Sequence, residues 1–290
     1  PFDLSAVTDD RPFFFDRVPL LAWIGHRLGL PSARSGEGDL TLGGQTLLLA
    51  LATTLASTIL LLVLPLSAYA LHGRSGSGAR GDHRRGGVGR ALLWAVYFAC
   101  LGLGYIMVEI VLIQRFSLYL GYPVYSLSVV LFTMLSASSL GSLLSERWIS
   151  QSALPRALAA LCVGLVFYAF GLPLLLAATL GAPTAARIVI ATVAVAPIGM
   201  LMGTPFPTGI RRAGREDSSL VSWAWAVNGA ASVFGSALTV LISMTYGFST
   251  SFFVGAGAYA VALVTMAFVL GRRGAEVRES SEPVAPAVAR

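Results

Sequence analysis

Long apolar runs separated by short polar breaks make up most of this chain. Taking roughly 20 apolar residues as the length that crosses a hydrocarbon core, seven runs qualify: approximately 46–71, 91–113, 124–145, 155–179, 185–206, 219–245 and 249–271. The first is the most uniformly aliphatic. The fifth ends in GTPFPTG, where Pro205 and Pro207 should break or kink a helix. Gly247 and the short GFSTS link predict an antiparallel hairpin between the last two spans. The pattern predicts an all-α, polytopic integral membrane bundle of about seven transmembrane helices. Its expected organisation is an interfacial or linker segment over 1–44, a helical membrane domain over 45–272 and a disordered tail over 273–290. Within the first segment, PFFFDRVPLLAW suits an amphipathic or aromatic anchor. GRSGSGARGDHRRGGVGR, 73–90, reads as a flexible basic loop.

Composition removes the soluble alternative. The chain is 56% hydrophobic and only 12% charged, about half the charged share of a soluble domain. A soluble fold would need more polar residues to cover its surface. All 20 basic residues are arginine, and the net charge is +6. The arginines fall in short clusters between apolar runs, with no basic stripe interleaved with aromatics, so anionic headgroups explain them better than nucleic acid. Five lie in 73–90, and Arg147, Arg156, Arg211, Arg212, Arg215, Arg272, Arg273, Arg278 and Arg290 fall on the same side of a seven-span arrangement. That asymmetry predicts a cytoplasmic C-terminus and places residues 1–44 outside. Cys100 and Cys162 lie within apolar runs and read as small packing residues. No cleavable signal peptide is visible, and the chain, which begins without Met, reads as a segment of a longer sequence.

Glu109, in GYIMVEIVLIQRF, is the one acidic residue between Asp82 and Glu146. A carboxylate in the bilayer faces the bundle interior, finds a partner or is protonated. Glu109 shares a helical face with Gly102 and Tyr105. It is therefore a candidate cation or proton site with Tyr105 as neighbour, or else a structural carboxylate bonded to another helix or to Arg115. The span end expected near 113 sets it close to the membrane edge. Gln114 and Arg115 are expected to position that edge by snorkelling, and Tyr122 and Tyr125 to join an aromatic belt. Asn228, the chain's one asparagine, recurs at helical spacing with Trp225, Ser232, Gly235 or Ser236, Thr239 and Ser243. This polar stripe serves either close helix packing or a hydrated path. Ser138, Ser142 and Ser145 suit the same packing. Asp9, Asp10 and Arg11, in TDDRPFFF, could bind a polyamine or a metal, or form a salt-bridged clamp; no His/Cys ligand set accompanies them, which favours the clamp. His26, His72 and His83 fall in loops or at span edges. No catalytic residue, metal or cofactor is expected in this chain.

TDDRPFFF (8–15), LGLGYIMVEIVLIQRFSLYLGYPVYSLSVVLFTMLSASSLGSLLS (101–145), PIGMLMGTPFPTGIRR (197–212) and WAWAVNGAASVFGSALTVLISMTYGFS (223–249) together resemble one family. These are bacterial spermidine synthase-like membrane proteins, or fused transporter/spermidine synthases. The resemblance covers most of residues 1–271. It implies a multi-pass protein of the cell inner membrane, with an aminopropyltransferase- or methyltransferase-like domain preceding TDDRPFFF. No glycine-rich strand–turn–helix motif occurs here, so the resemblance implies the membrane-embedded C-terminal part of such a protein, not a complete enzyme. The expected partners are the bilayer, an upstream soluble transferase-like domain, an N-terminal membrane half, and a polyamine or other small cation. The rival readings are a small-molecule or cation transporter and a structural anchor without ligand. A transporter predicts that Glu109 and Asn228 face a shared hydrated cavity; an anchor predicts a dry, closely packed bundle. One tension is built in. The transferase domain is expected in the cytoplasm, whereas arginine counting places residue 1 outside.

Overall fold

The computed structural model describes residues 8–12, 42–60, 81–148 and 153–281. Among these, eight helices follow one another: α1 Leu42–Thr58, α2 Gly81–Leu120, α3 Pro123–Trp148, α4 Leu154–Thr179, α5 Thr184–Met202, α6 Pro205–Glu216, α7 Ser219–Tyr246 and α8 Phe248–Ser281. No strand occurs among the described residues; the isolated bridge Thr8–Arg11 merely closes a turn in TDDR. The fold is an all-α helical bundle.

Six stretches are long and apolar enough to cross a membrane, with α5 and α6 forming one of them, Thr184–Glu216. The protein is therefore a multi-pass membrane protein. The described part of the first expected span, Gln45–Thr58, is apolar but short, and 61–71 lie outside the described residues. The outer faces carry the same message. Phe132 and Phe167 are 75% and 76% exposed, and Phe170, Leu174 and Val193 also point outward. Water would penalise such continuous apolar faces, and lipid does not.

α2 is the centre. Of its apolar window 56% is buried, against 17% for α7, because α7, α8 and α3 all pack around it. The expected boundaries of this helix are too short at both ends. At its start, Gly81–Arg90 is helical rather than part of a flexible loop, since extending a formed helix is cheap compared with nucleating one. At its end, the helix runs through Gln114 and Arg115 to Leu120. Phe116, Tyr119 and Leu120 are buried, so the apolar pattern of the core continues past the two polar residues. α8 likewise extends to Ser281, beyond the boundary expected at 272; residues 282–290, like most of 1–41 and all of 73–80, are outside the described residues.

Small residues let the backbones approach. A Cβ on Gly102 would strike the Asn228 carbonyl of α7, one on Gly235 would strike Leu103 and Ile106 of α2, and one on Gly104 would come within 2.9 Å of the Tyr259 ring of α8. Between α3 and α5 the fit is reciprocal: Gly141 lies against the Met200 carbonyl and Gly203 against the Ser138 carbonyl. Without a hydrophobic drive between helices in lipid, such close packing is what holds them together.

The bundle has two distinct ends. The turns at Gly121 (φ 79°) and Gly247 (φ 92°) lie at one, both in the left-handed region that glycine reaches without strain. Ser126 donating to the Ile113 carbonyl and Tyr119 bonded to Thr179 bring α2, α3 and α4 together there. The other end holds α6 and most of the described arginines, among them Arg147, Arg156, Arg211 and Arg215.

Candidate functional site

Glu109 is 7% exposed. Because α2 continues to Leu120, its carboxylate is eleven residues, about 16 Å of helix rise, from the end of the span. The helix end therefore lies farther from Glu109 than the boundary expected near 113 implies. Tyr105, one turn earlier, reaches Ser138 of α3 at 3.5 Å. Ile106, on the adjoining face, meets Gly235 of α7. Helical spacing thus sets Glu109 between the α3-facing and α7-facing sides of α2. Tyr259 of α8 packs on the same stretch of α2, its ring against Gly104. Among the described residues nothing hydrogen-bonds to or ion-pairs with its carboxylate.

Arg115 turns elsewhere. It donates to Asp10 Oδ1 at 3.0 Å and to the Ser249 hydroxyl at 2.7 Å. Asp10 Oδ1 also accepts the Ser249 backbone N–H at 2.9 Å and hydroxyl at 2.7 Å. The Asp10 carbonyl takes the Phe248 N–H at 2.9 Å, and Arg11 Nε donates to the Met244 carbonyl at 3.1 Å. Residues 8–12 are therefore sewn onto the α7–α8 turn and the last turns of α2. Gly247 has a second reason to be glycine here, since a Cβ would lie 2.5 Å from Asp10 Oδ2. Asp9 is exposed and Gln114 half-buried. The crevice beside Arg115, Tyr168 and Ser249 has room for about one water.

Asn228 bridges helices. Its side-chain N–H donates to the Phe98 carbonyl at 3.1 Å, and Ser232 donates to the Gly102 carbonyl at 3.2 Å. Farther along, Ser243 and Ser251 share a hydrogen bond of 2.8 Å between α7 and α8. Trp225 leaves the stripe: it is 62% exposed, with its ring edge-on to Phe206 at 4.7 Å. Asn228→Leu should lower stability in detergent by about 1 kcal/mol. Thermal unfolding measures it, and an unchanged midpoint would remove the packing role.

At the arginine-rich end the GTPFPTG break is visible as a short gap between α5 and α6. The fully buried Tyr97 hydroxyl donates to the Pro205 carbonyl in the first turn of α6 at 2.9 Å, so that its own buried polar group is satisfied. Trp94 donates to Glu216 at 2.9 Å. Arg211 reaches the Ser145 hydroxyl at 3.1 Å, Thr208 at 3.0 Å and Glu146 at 3.7 Å. These partners escape sequence reading because they join residues more than a hundred positions apart, or sit on α6, which reads as a helix end. Asp217 accepts the Ser219 N–H at 2.8 Å, and that bond holds its carboxyl below the usual carboxylate range. The stabilisation is present above the unfolded-state value and lost as pH falls through the lowered folded-state value.

The sequence-predicted residues thus separate into three places. Asp10, Arg11 and Arg115 meet at one end, Glu109 and Tyr105 lie mid-bundle, and Asn228 sits nearer the other end. Among the described residues no group of three or more His, Cys, Asp or Glu could hold a metal. Comparison with protein-family models, curated proteins and solved structures finds no match.

Proposed function

We propose that this chain is the membrane-embedded region of a spermidine synthase-like protein, tying an upstream transferase-like domain to the cell inner membrane. The observation that carries the reading is the stitching of TDDR to the helix ends. A segment pinned by Asp10 and Arg11 gives preceding chain a fixed point of departure, which an anchor needs and an isolated pore does not. The packing supports it as well. Asn228 spends its side-chain N–H on the Phe98 carbonyl, eleven residues or about 16 Å of helix before Glu109, which supports a packing role for it over a site shared with Glu109. The test is fractionation of the longest natural reading frame containing this segment. Aminopropyl- or methyltransferase activity should sediment with membranes and become soluble when 42–281 are deleted. A frame with no such domain upstream, or spermidine uptake by vesicles holding this chain alone, would overturn the reading.

Orientation is a separate prediction. The arginine-rich end is expected in the cytoplasm, which puts residues 8–12 and the turn at 180–183 outside. With Cys100 and Cys162 replaced by alanine, a Gly181→Cys variant should react with an impermeant thiol reagent in intact cells. A Ser218→Cys variant should not. The reverse result inverts the bundle and gives the upstream chain a cytoplasmic exit, where a donor of the S-adenosylmethionine kind is available. The expected result requires a further crossing between any such domain and residue 8.

A further inference from the structure

The geometry points to Glu109 as a proton-binding site inside the bundle, reached from the arginine-rich end along Tyr105 and the serine face of α3. This does not depend on the transferase reading. An ionised carboxylate in hydrocarbon needs a countercharge, a set of donors or a proton. The first two are missing. From 219 to 246 and from 248 to 270, α7 and α8 contain no charged residue, and α3 has none before Glu146. The basic groups of α2 and α5 nearest in the chain are committed: Arg115 to Asp10 and Ser249, and Arg187 to the Tyr119 carbonyl at 2.6 Å. No hydrogen-bond donor among the described residues reaches Glu109, a residue only 7% exposed.

The flanks of α2 near Glu109 pack closely, with Gly102 against Asn228, Gly104 against Tyr259 and Gly235 against Leu103 and Ile106. The polar groups nearest in this part of the bundle are the phenols of Tyr105 on α2 and Tyr259 on α8 and the Ser138 hydroxyl on α3, with Asn228 and Ser232 of α7 farther along α2 at Phe98 and Gly102. All of these are uncharged in that setting, so the proton stays on the carboxyl. Tyr105 connects to Ser138 at 3.5 Å. The same face of α3 continues through Ser142 to Ser145, which bonds Arg211 at the bundle end at 3.1 Å. Hydroxyls able both to donate and to accept therefore mark a route on that side. Toward the other end α2 itself presents Leu112, Phe116 and Leu120, buried and apolar, and the hydroxyls there, Ser243 and Ser251 of α7 and α8, are bonded to each other.

The experiment uses the full chain in lipid vesicles at neutral pH. Infrared spectroscopy should show the carbonyl stretch of a protonated carboxyl, lost in Glu109→Gln. Dicyclohexylcarbodiimide, which attacks protonated carboxyls in apolar surroundings, should modify wild-type protein on the peptide carrying Glu109. The labelling requires no mutant, so poor folding of Glu109→Gln cannot hide the answer. An unlabelled Glu109, or a band that persists in a folded Glu109→Gln variant, overturns the site. Tyr105→Phe and Ser138→Ala should slow hydrogen–deuterium exchange of the band, while Ser117→Ala at the opposite end should not. Wild-type exchange in both of the first two variants overturns the route.

Discussion

Gly141→Val should be among the most destabilising substitutions in this protein. The Cβ of any side chain at 141 runs into the Met200 backbone carbonyl of α5, and the neighbouring α3 carbonyl of Ser138 blocks a Cβ at Gly203 in the same way. Backbone atoms cannot rotate aside as a flexible side chain can, so α3 and α5 must separate. Separation would also loosen Gly199 from Met134 and Ala137. Overpacking of this kind costs about 1–3 kcal/mol, a large part of the ~5–15 kcal/mol that holds an ordinary protein together. Gly203→Val should behave similarly. The control is Gly257→Ala: nothing lies within 4 Å of a Cβ there, and replacing a mid-helix glycine should stabilise by up to about 1 kcal/mol. Unfolding in detergent followed by circular dichroism separates the two classes. If Gly141→Val melted with the wild type, the close approach of α3 and α5 would be wrong.

This contact also marks where sequence reading reached its limit. Apolar run length was enough to find α3, α4, α5, α7 and α8 within a few residues at most of their ends, because hydrocarbon thickness imposes a length that composition alone reveals. It could not find the true extent of α2. Gln114 and Arg115 look like a membrane edge in one dimension; in three dimensions Arg115 is absorbed by Asp10 and Ser249, and the helix continues. Nor could it separate α6 from a simple helix end, since the buried stripe of Pro205, Thr208, Gly209, Arg212 and Ala213 is legible only once a partner surface exists. The stripe around Asn228 was visible as periodicity. Which of its members face α2 was not, and Trp225 falls outside because its bulk fits beside Phe206 rather than between helices. For Glu109 the sequence supplied the anomaly and the structure removed the obvious partner.

Asp10→Ala should detach the N-terminal segment from the bundle and destabilise it more than Arg115→Met does. The asymmetry follows from exposure. The Arg115 side chain is 12% exposed and that of Asp10 41%. Losing the carboxylate strands a guanidinium that has little access to water and keeps the Ser249 hydroxyl as a partner. Losing the guanidinium leaves a carboxylate that still accepts the Ser249 N–H and hydroxyl and can also be hydrated. Buried pairs broken on one side cost about 3–5 kcal/mol and exposed ones about 0–1 kcal/mol. A half-buried latch should fall between, at about 1–3 kcal/mol for Asp10→Ala. A double-mutant cycle over Asp10 and Arg115 should return a clear coupling, on the order of 1 kcal/mol or more. The matching cycle over Glu109 and Arg115 should be additive within about 0.5 kcal/mol, because the guanidinium is spent on the other acid. A strong Glu109–Arg115 coupling with none to Asp10 would reverse the assignment, making Glu109 a structural ion-pair partner and leaving residues 8–12 unattached.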